Sequence, residues 1–201
     1  RDANWDPDFP QAVQTLLWFF DKGGYQNIDG VVTVTLSSVQ EYINILGPLY
    51  LPDYNKYIDA EGLYAFAQNQ TEQSFFPGAS NKRDVLGALT RAFTRAVSAL
   101  TLAQQQNIAH TLLKHLASKD VMVWAKDREV QDIVELHQWD GAIKFPVCKT
   151  QRCRVDYLYV VEANVGINKA NCCIDRKVQY EVWLNYDATA TSSARVEYTN
   201  N

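Results

Sequence analysis

Four cysteines could form disulfides or bind a metal. They cluster in the last third of the chain, at Cys148, Cys153, Cys172 and Cys173. Their spacings are C-x4-C and C-C, whereas zinc sites favour two C-x2-4-C pairs, so we predict no metal site. Two alternatives stay open, a disulfide and four inert buried thiols. Adjacent cysteines of an extended chain point to opposite faces, so we expect one bridge, which would link the 148–153 loop to Cys172 or Cys173.

A second candidate site is basic and lies in "NKRDVLGALTRAFTRAVSAL", residues 81–100, which is predicted to be a helix. Its apolar residues fall on one stripe at helical spacing and are assigned to the core: Leu86, Leu89, Phe93, Val97 and Leu100, with Ala92 and Ala96 beside them. Lys82 and Arg83 flank this stripe in the first turn, where the free backbone N–H groups favour an anion. The alternative is that their aliphatic stems cover apolar surface. Arg91 and Arg95 fall on the opposite, solvated side.

Composition limits the function classes. The chain has 201 residues, 47% of them hydrophobic, and a formal net charge of -4, which fits a single globular domain over residues 1–201. The negative charge argues against a general attraction to nucleic acid. No apolar run approaches the ~20 residues that a membrane span needs. No P-loop, G-x-G-x-x-G, H-E-x-x-H or nucleophile elbow occurs, so the sequence predicts no cofactor and names no catalytic residue.

These residues must be positioned by elements of mixed type. Helices are predicted at about 10–21, 37–47, 60–73, 81–100, 101–118 and 128–139, from apolar periodicity with Asp8, a serine and Asp127 as N-caps. Strands are predicted at 28–36, 121–125, 155–165, 176–186 and 190–199, with two short extended pieces within 47–59. The order is mixed α and β, and its last two strands form an antiparallel pair.

Three stretches together resemble one family. They are "RDANWDPDFPQAV" at 1–13, "NIDGVVTVTLSSVQEYINILGPLYLP" at 27–52 and "VVEANVGINKANCCIDRKVQYEVWLN" at 160–185. They are similar to the bacterial envelope proteins of domain-of-unknown-function family 4012, which distantly resemble the LytR-CpsA-Psr proteins. The resemblance extends over nearly the whole chain. It departs from the family where an Asp-Pro pair usually follows the first strand, since Thr35 and Leu36 stand there, and where Asn171 replaces an aspartate.

The resemblance implies a fold and a location. The fold would be an α/β sandwich, with a central mixed sheet flanked by helices. The chain would be the C-terminal part of a longer extracytoplasmic envelope protein, held to the membrane by an N-terminal helix that precedes it. Arg1 rather than Met opens the sequence, which agrees with that expectation.

Three functions are considered, of which the resemblance implies the first two, whereas the third rests on the edge strands of the predicted sheet. The first is a binding surface for a polyprenyl-phosphate-linked glycan or a cell-wall polymer. The second is a phosphotransferase that attaches the glycan to the wall, with Mg²⁺ held by an aspartate. The third is a structural subunit that self-assembles through edge strands. The arginine-rich helix of the relatives corresponds loosely to residues 81–93. Arg83 is therefore the best counterpart of an anion-binding arginine in that helix, followed by Lys82 and Arg91. Lys169 either faces the ligand or belongs to a solvated turn.

Overall fold

The computed structural model describes residues 4–72, 81–150, 153–162, 174–187 and 189–200, without the side chains of residues 69–72 and 81–83. Helices and strands alternate in mixed order. The chain divides into two compact units, Arg1–Val155 and Asp156–Asn201. Within the described ranges, no helix has the length and apolar character needed to cross a membrane.

The first unit holds all the helices that the structure describes. They are α1 (Phe9–Lys22), α2 (Leu36–Leu46), α3 (Gly62–Glu72), α4 (Asn81–Ser98), α5 (Leu102–Ser118) and α6 (Arg128–Leu136), and a short 3-10 helix spans Pro52–Tyr54. Its strands are β1 (Gly30–Val34), β2 (Leu49–Leu51), β3 (Lys56–Ile58) and β4 (Val121–Ala125). The predicted helices and the two short extended pieces are thereby confirmed, with ends shifted by a few residues, as is usual for helix boundaries.

Side-chain caps determine where several helices begin. Asp8 accepts a hydrogen bond from the Gln11 N–H at the start of α1, and Asp127 accepts one from Val130 at the start of α6, as the sequence predicts. The cap of α2 is Thr35, one position before the first residue of the helix, and not a serine.

The sheets differ from the expected central mixed sheet. β1 pairs antiparallel with β4, from Gly30 opposite Ala125 to Val34 opposite Val121. β2 and β3 form a separate antiparallel hairpin. In the described part of the chain every sheet has two strands and no pair is parallel. The sequence-based expectation was wrong on this point, because strand propensity does not say which strands become neighbours.

The second unit consists of a long hairpin and a segment that precedes it. β5 (Ile174–Leu184) and β6 (Ala190–Asn200) pair antiparallel along their whole length, which confirms the predicted C-terminal pair. The strand predicted at 155–165 is not a strand over residues 155–162, and the remainder lies outside the described residues. This segment contacts the hairpin through side chains, from Asp156 to Tyr180 and from Glu162 to Arg176. These contacts of the segment with the hairpin are thus made by two acidic side chains and not by a backbone ladder.

The core of the first unit surrounds the β2–β3 hairpin. Its buried members come from α2, the hairpin, α3 and α4: Ile43, Leu49, Leu51, Ile58, Ala60, Leu63, Phe66, Val85, Ala88 and Ala92. On α4 the buried stripe runs through Val85, Ala88 and Ala92, whereas Leu86 is 53% exposed. The prediction was wrong for Leu86 and for Val97, which is also exposed, but Ala92 is in the core and Leu89, Phe93 and Ala96 pack against it as predicted. The small side chains of the alanines permit the close approach of α4 to β2.

This stripe gives a matched pair of substitutions on one helix. Val85 is 1% exposed and Val97 is 37% exposed. Val85→Ala is expected to lower the free energy of unfolding by about 1–3 kcal/mol, because it removes buried methyl groups. Val97→Ala removes the same atoms from a more exposed site and should cost less than about 0.5 kcal/mol. Urea denaturation of both variants measures the difference, and equal losses would contradict the observed stripe.

Candidate functional site

The predicted anion-binding residues are only partly within the described structure. Lys82 and Arg83 lie in the first turn of α4, and their side chains are outside the description, as is all of Lys169. Arg91 is described, and its Nη2 lies 2.6 Å from Oδ2 of Asp53 in an exposed ion pair. Arg95 is exposed. The structure thus connects Arg91 to a carboxylate, and the joint anion site of these cations stays a prediction.

The described cysteines form a local disulfide. Cys148 is bonded to Cys153, five positions along the chain, with their Cα atoms 5.3 Å apart. The expected bridge from this loop to Cys172 or Cys173 was therefore wrong, because both thiols of the loop are used within it. A C-x4-C turn can bring its ends within the Cα–Cα range of disulfides, and this local route closes a much shorter loop. Cys172 and Cys173 lie outside the described residues.

A polar cluster that the sequence analysis missed lies where the β1–β4 ladder ends. We call it the His115 cluster, and it consists of Thr35, Glu41, Lys114, His115, Ser118 and Asp120. The antiparallel register explains its position, because Val34 is opposite Val121 and the next positions, Thr35 and Asp120, are then neighbours. The Thr35 N–H donates to the Asp120 carbonyl at 2.9 Å. The cluster therefore joins the start of α2 to the end of α5.

His115 is the buried centre of this cluster. Its side chain is 4% exposed, and its ring nitrogens face two carboxylates. Nδ1 lies 3.3 Å from Oδ2 of Asp120, and Nε2 lies 3.0 Å from Oε2 of Glu41. The Nε2 contact lacks hydrogen-bond alignment, so this nitrogen has no hydrogen-bond partner among the described residues. The Tyr42 ring packs against the imidazole with centroids 5.5 Å apart, and the buried Tyr42 hydroxyl is also without a partner in the described chain.

The two carboxylates of the cluster are held in their charged forms. The hydrogen bond from Lys114 lowers the pKa of Glu41, and His115 adds to that effect against the opposing effect of burial. Lys114 Nζ lies 2.7 and 2.9 Å from the two Glu41 oxygens. The hydrogen bond from Ser118 lowers the pKa of Asp120, with further contributions from His115 and Thr35. Asp120 also lies beside the N-terminus of α2, where a negative charge is favourable.

The hydrogen-bond pattern decides what this cluster can do. A serine nucleophile needs its hydroxyl bonded to the histidine that removes its proton. Here the Ser118 hydroxyl donates to Asp120 at 2.5 Å, and the histidine faces the carboxylates. The arrangement therefore fits a polar link between α2, α5 and β4. Part of it was visible in the sequence "HLASKD", since three members lie within six residues, but Glu41 is far away in the chain.

The structure offers no assembled metal site in the ranges it describes. Among those residues, no group of three or more His, Cys, Asp or Glu side chains is arranged to hold an ion.

Comparison with known proteins supports one part of the resemblance. The family model described as "Protein of unknown function (DUF4012)" matches residues 1–71. That range contains two of the three stretches that carry the resemblance and ends within α3. The third stretch, at 160–185, and all four predicted anion-binding residues lie beyond it, so the family match is shorter than expected. No curated protein and no solved structure matches the chain.

The local disulfide predicts a specific cross-linked peptide. Trypsin cleaves after Lys144, Lys149, Arg152 and Arg154. Digestion of the unreduced protein should therefore release residues 145–149 bonded to residues 153–154, which mass spectrometry detects as one species that separates on reduction. Reduction should cost at most about 2 kcal/mol of unfolding free energy, because the closed loop is short. A bond from either peptide to residues 170–176 would contradict this pairing.

The lowered pKa values of Glu41 and Asp120 predict a dependence of stability on pH. A carboxyl whose pKa is lowered in the folded state contributes fully above its unfolded pKa of about 4 and loses that contribution as the pH falls through the folded pKa. Asp120→Asn should lower the free energy of unfolding by about 1 kcal/mol at pH 7, through loss of charged hydrogen bonds. The loss should shrink as the pH falls below about 4, because the native carboxyl becomes progressively protonated as the pH approaches its lowered pKa.

Urea denaturation at a series of pH values measures this dependence. The control is Asp132→Asn, which removes an exposed ion pair with Arg128 and should cost less than about 0.5 kcal/mol. If Asp120→Asn lowers the free energy of unfolding by the same amount at pH 3 and pH 7, the electrostatic role of Asp120 is contradicted.

Proposed function

We propose that this chain is an extracytoplasmic domain of the bacterial cell envelope that presents a binding surface to a polyprenyl-phosphate-linked glycan. The observation that carries the location is the disulfide between Cys148 and Cys153, because such bonds persist in oxidising compartments outside the cytoplasm. The match of residues 1–71 to the family named from the sequence supports the same location. The ligand class comes from the resemblance of that family to the LytR-CpsA-Psr proteins.

The binding residues of this proposal are cations at the start of α4. Helix N-termini present free N–H groups and the positive end of the helix dipole, so a phosphate there gains from both the backbone and a nearby guanidinium. Arg83 is proposed as the principal contact, with Lys82 beside it. Arg91 and Lys169 would contribute secondary contacts, and Arg91 would have to leave Asp53 to do so.

Binding is proposed in preference to glycan transfer. A phosphotransferase needs, besides cations that steady the pyrophosphate, a carboxylate that holds Mg²⁺ or orients the attacking hydroxyl. The carboxylates of the His115 cluster are already engaged, Glu41 with Lys114 and Asp120 with Ser118. The binding function requires only the cations.

A second function, that of a subunit in an extracellular assembly, is favoured by one observation. The β5–β6 hairpin has eleven residues in each strand, and nearly every one of them is exposed. An isolated two-stranded hairpin is marginally stable in water, and open strand edges can pair with another chain.

The binding proposal predicts a difference between two arginines of α4. Arg83→Ala should weaken binding of a polyprenyl phosphate analogue by ~10- to 150-fold, which corresponds to loss of one charge-assisted contact of about 1.5–3 kcal/mol. Arg95→Ala is the matched control and should leave the affinity nearly unchanged. Calorimetric titration at one fixed salt concentration is needed, because exposed charges are screened. Equal affinities of the two variants would overturn the assignment of Arg83.

A further inference from the structure

The β5–β6 hairpin has one apolar and one polar face. Successive residues of a strand point to opposite faces, and cross-strand partners share a face. The register therefore assigns to the apolar face Ile174, Val178, Tyr180, Val182 and Leu184 of β5 and Ala190, Ala194, Val196 and Tyr198 of β6, together with the polar residues Arg176, Ser192 and Asn200. The polar face holds Asp175, Lys177, Gln179 and Glu181 of β5 and Thr191, Ser193, Arg195, Glu197 and Thr199 of β6, together with Trp183. A hairpin with one apolar and one polar face is typical of strands that belong to a larger sheet.

The outer edges of β5 and β6 carry backbone N–H and C=O groups that a further strand could pair with. Among the residues that the structure describes, β5 and β6 pair with each other and with no third strand. Residues 156–162 contact the apolar face through side chains, at Tyr180 and Arg176 of β5. These contacts leave the backbone edge of β6 without a ladder in that part of the chain.

The order of residues in β6 makes this edge complementary to itself. If two β6 strands pair antiparallel about a two-fold axis at Val196, Arg195 of each copy lies directly opposite Glu197 of the other. The same axis places Ala194 opposite Tyr198, a small side chain beside a large one on the apolar face. Ser193 then lies opposite Thr199 on the polar face. Charge, size and polarity are thus matched along the strand, and matched cross-strand pairs stabilise a sheet.

We propose that β6 pairs antiparallel with β6 of a second copy of this chain, centred on Val196, to give a four-stranded sheet in the order β5–β6–β6–β5. This inference rests on the assembly function above and names its partner. The occupant is a second copy because the alternation of Arg195 and Glu197 around an apolar centre has two-fold symmetry. On the outer edge of β5, an axis at Gln179 would likewise place Lys177 opposite Glu181, but it would also place Arg176, which is paired with Glu162, opposite Val182.

The proposal is tested by charge reversal in the full 201-residue chain, with the dissociation constant of the dimer measured by sedimentation equilibrium. Arg195→Glu creates two like-charged pairs across the axis, and so does Glu197→Arg. Each should weaken the dimer by about tenfold or more, because like charges directly opposite each other destabilise a sheet. The matched control is Glu181→Arg, which changes the same charge on the polar face of β5, and it should leave the dimer unchanged.

Mixing the two single variants separates loss of pairing from loss of folding. One variant carries two negative charges at these positions and the other two positive charges, so a heterodimer has opposite charges at both pairs. Native mass spectrometry of an equimolar mixture should show the heterodimer in excess over both homodimers, and its dissociation constant should return to within about threefold of the unsubstituted chain.

Three outcomes would overturn the inference. A chain that is monomeric at every concentration up to the highest soluble one would remove both the β6 pairing and the assembly function. A dimer that weakens with Glu181→Arg and is insensitive to the β6 reversals would leave the assembly function standing and reject β6 as its edge. A dimer that weakens with both β6 reversals and is not restored by mixing them would reject the antiparallel register about Val196.

Discussion

The first unit depends on burial of the β2–β3 hairpin, whose two strands have three residues each. Leu51 is fully buried and Leu49 and Ile58 nearly so, although β2 and β3 are too short to be stable by backbone pairing alone. Helices from three parts of the chain therefore gather around this hairpin to exclude water. Gly47 begins the arrangement, because it ends α2 with a φ of 86°, a value that glycine adopts without steric cost, and turns the chain into β2. The alanines of α4 complete it, since only small side chains let that helix approach the hairpin closely.

Local signals in the sequence were sufficient to predict most helices and strands, but not to predict which of them pack or pair together. Capping aspartates and stop glycines act within a few residues, so Asp8 and Asp127 located the starts of α1 and α6. The spacing on α4 located Ala92, Leu89 and Phe93 on the core side, but the centre of the buried face at Val85 and Ala88 depends on β2, thirty-odd residues earlier. The 155–162 segment has strand-like composition, but a strand also requires a neighbour to pair with, and no local rule supplies one.

In the candidate sites, too, features that depend on neighbouring residues could be predicted more readily than features that depend on distant parts of the chain. A bridge between Cys148 and Cys153 needs only a turn, whereas the predicted bridge rested on the opposite directions of the adjacent residues Cys172 and Cys173 and did not consider the turn. The His115 cluster needs the β1–β4 register, which brings Thr35 to Asp120, and the packing of α2 on α5, which brings Glu41 to His115. The cations of α4 could be named from helix physics alone, because a helix N-terminus favours an anion wherever it occurs.

The central claim, an envelope domain that binds a polyprenyl-phosphate-linked glycan, is tested most directly by native mass spectrometry. The chain would be exported to a bacterial envelope, extracted in mild detergent and compared with an identically prepared Arg83→Ala variant. We expect a species heavier than the bare chain by the mass of a polyprenyl-phosphate lipid, with or without its glycan, and we expect the variant to lack this species. A bare chain in both preparations, or the same lipid adduct in both, would contradict the binding of this lipid through Arg83.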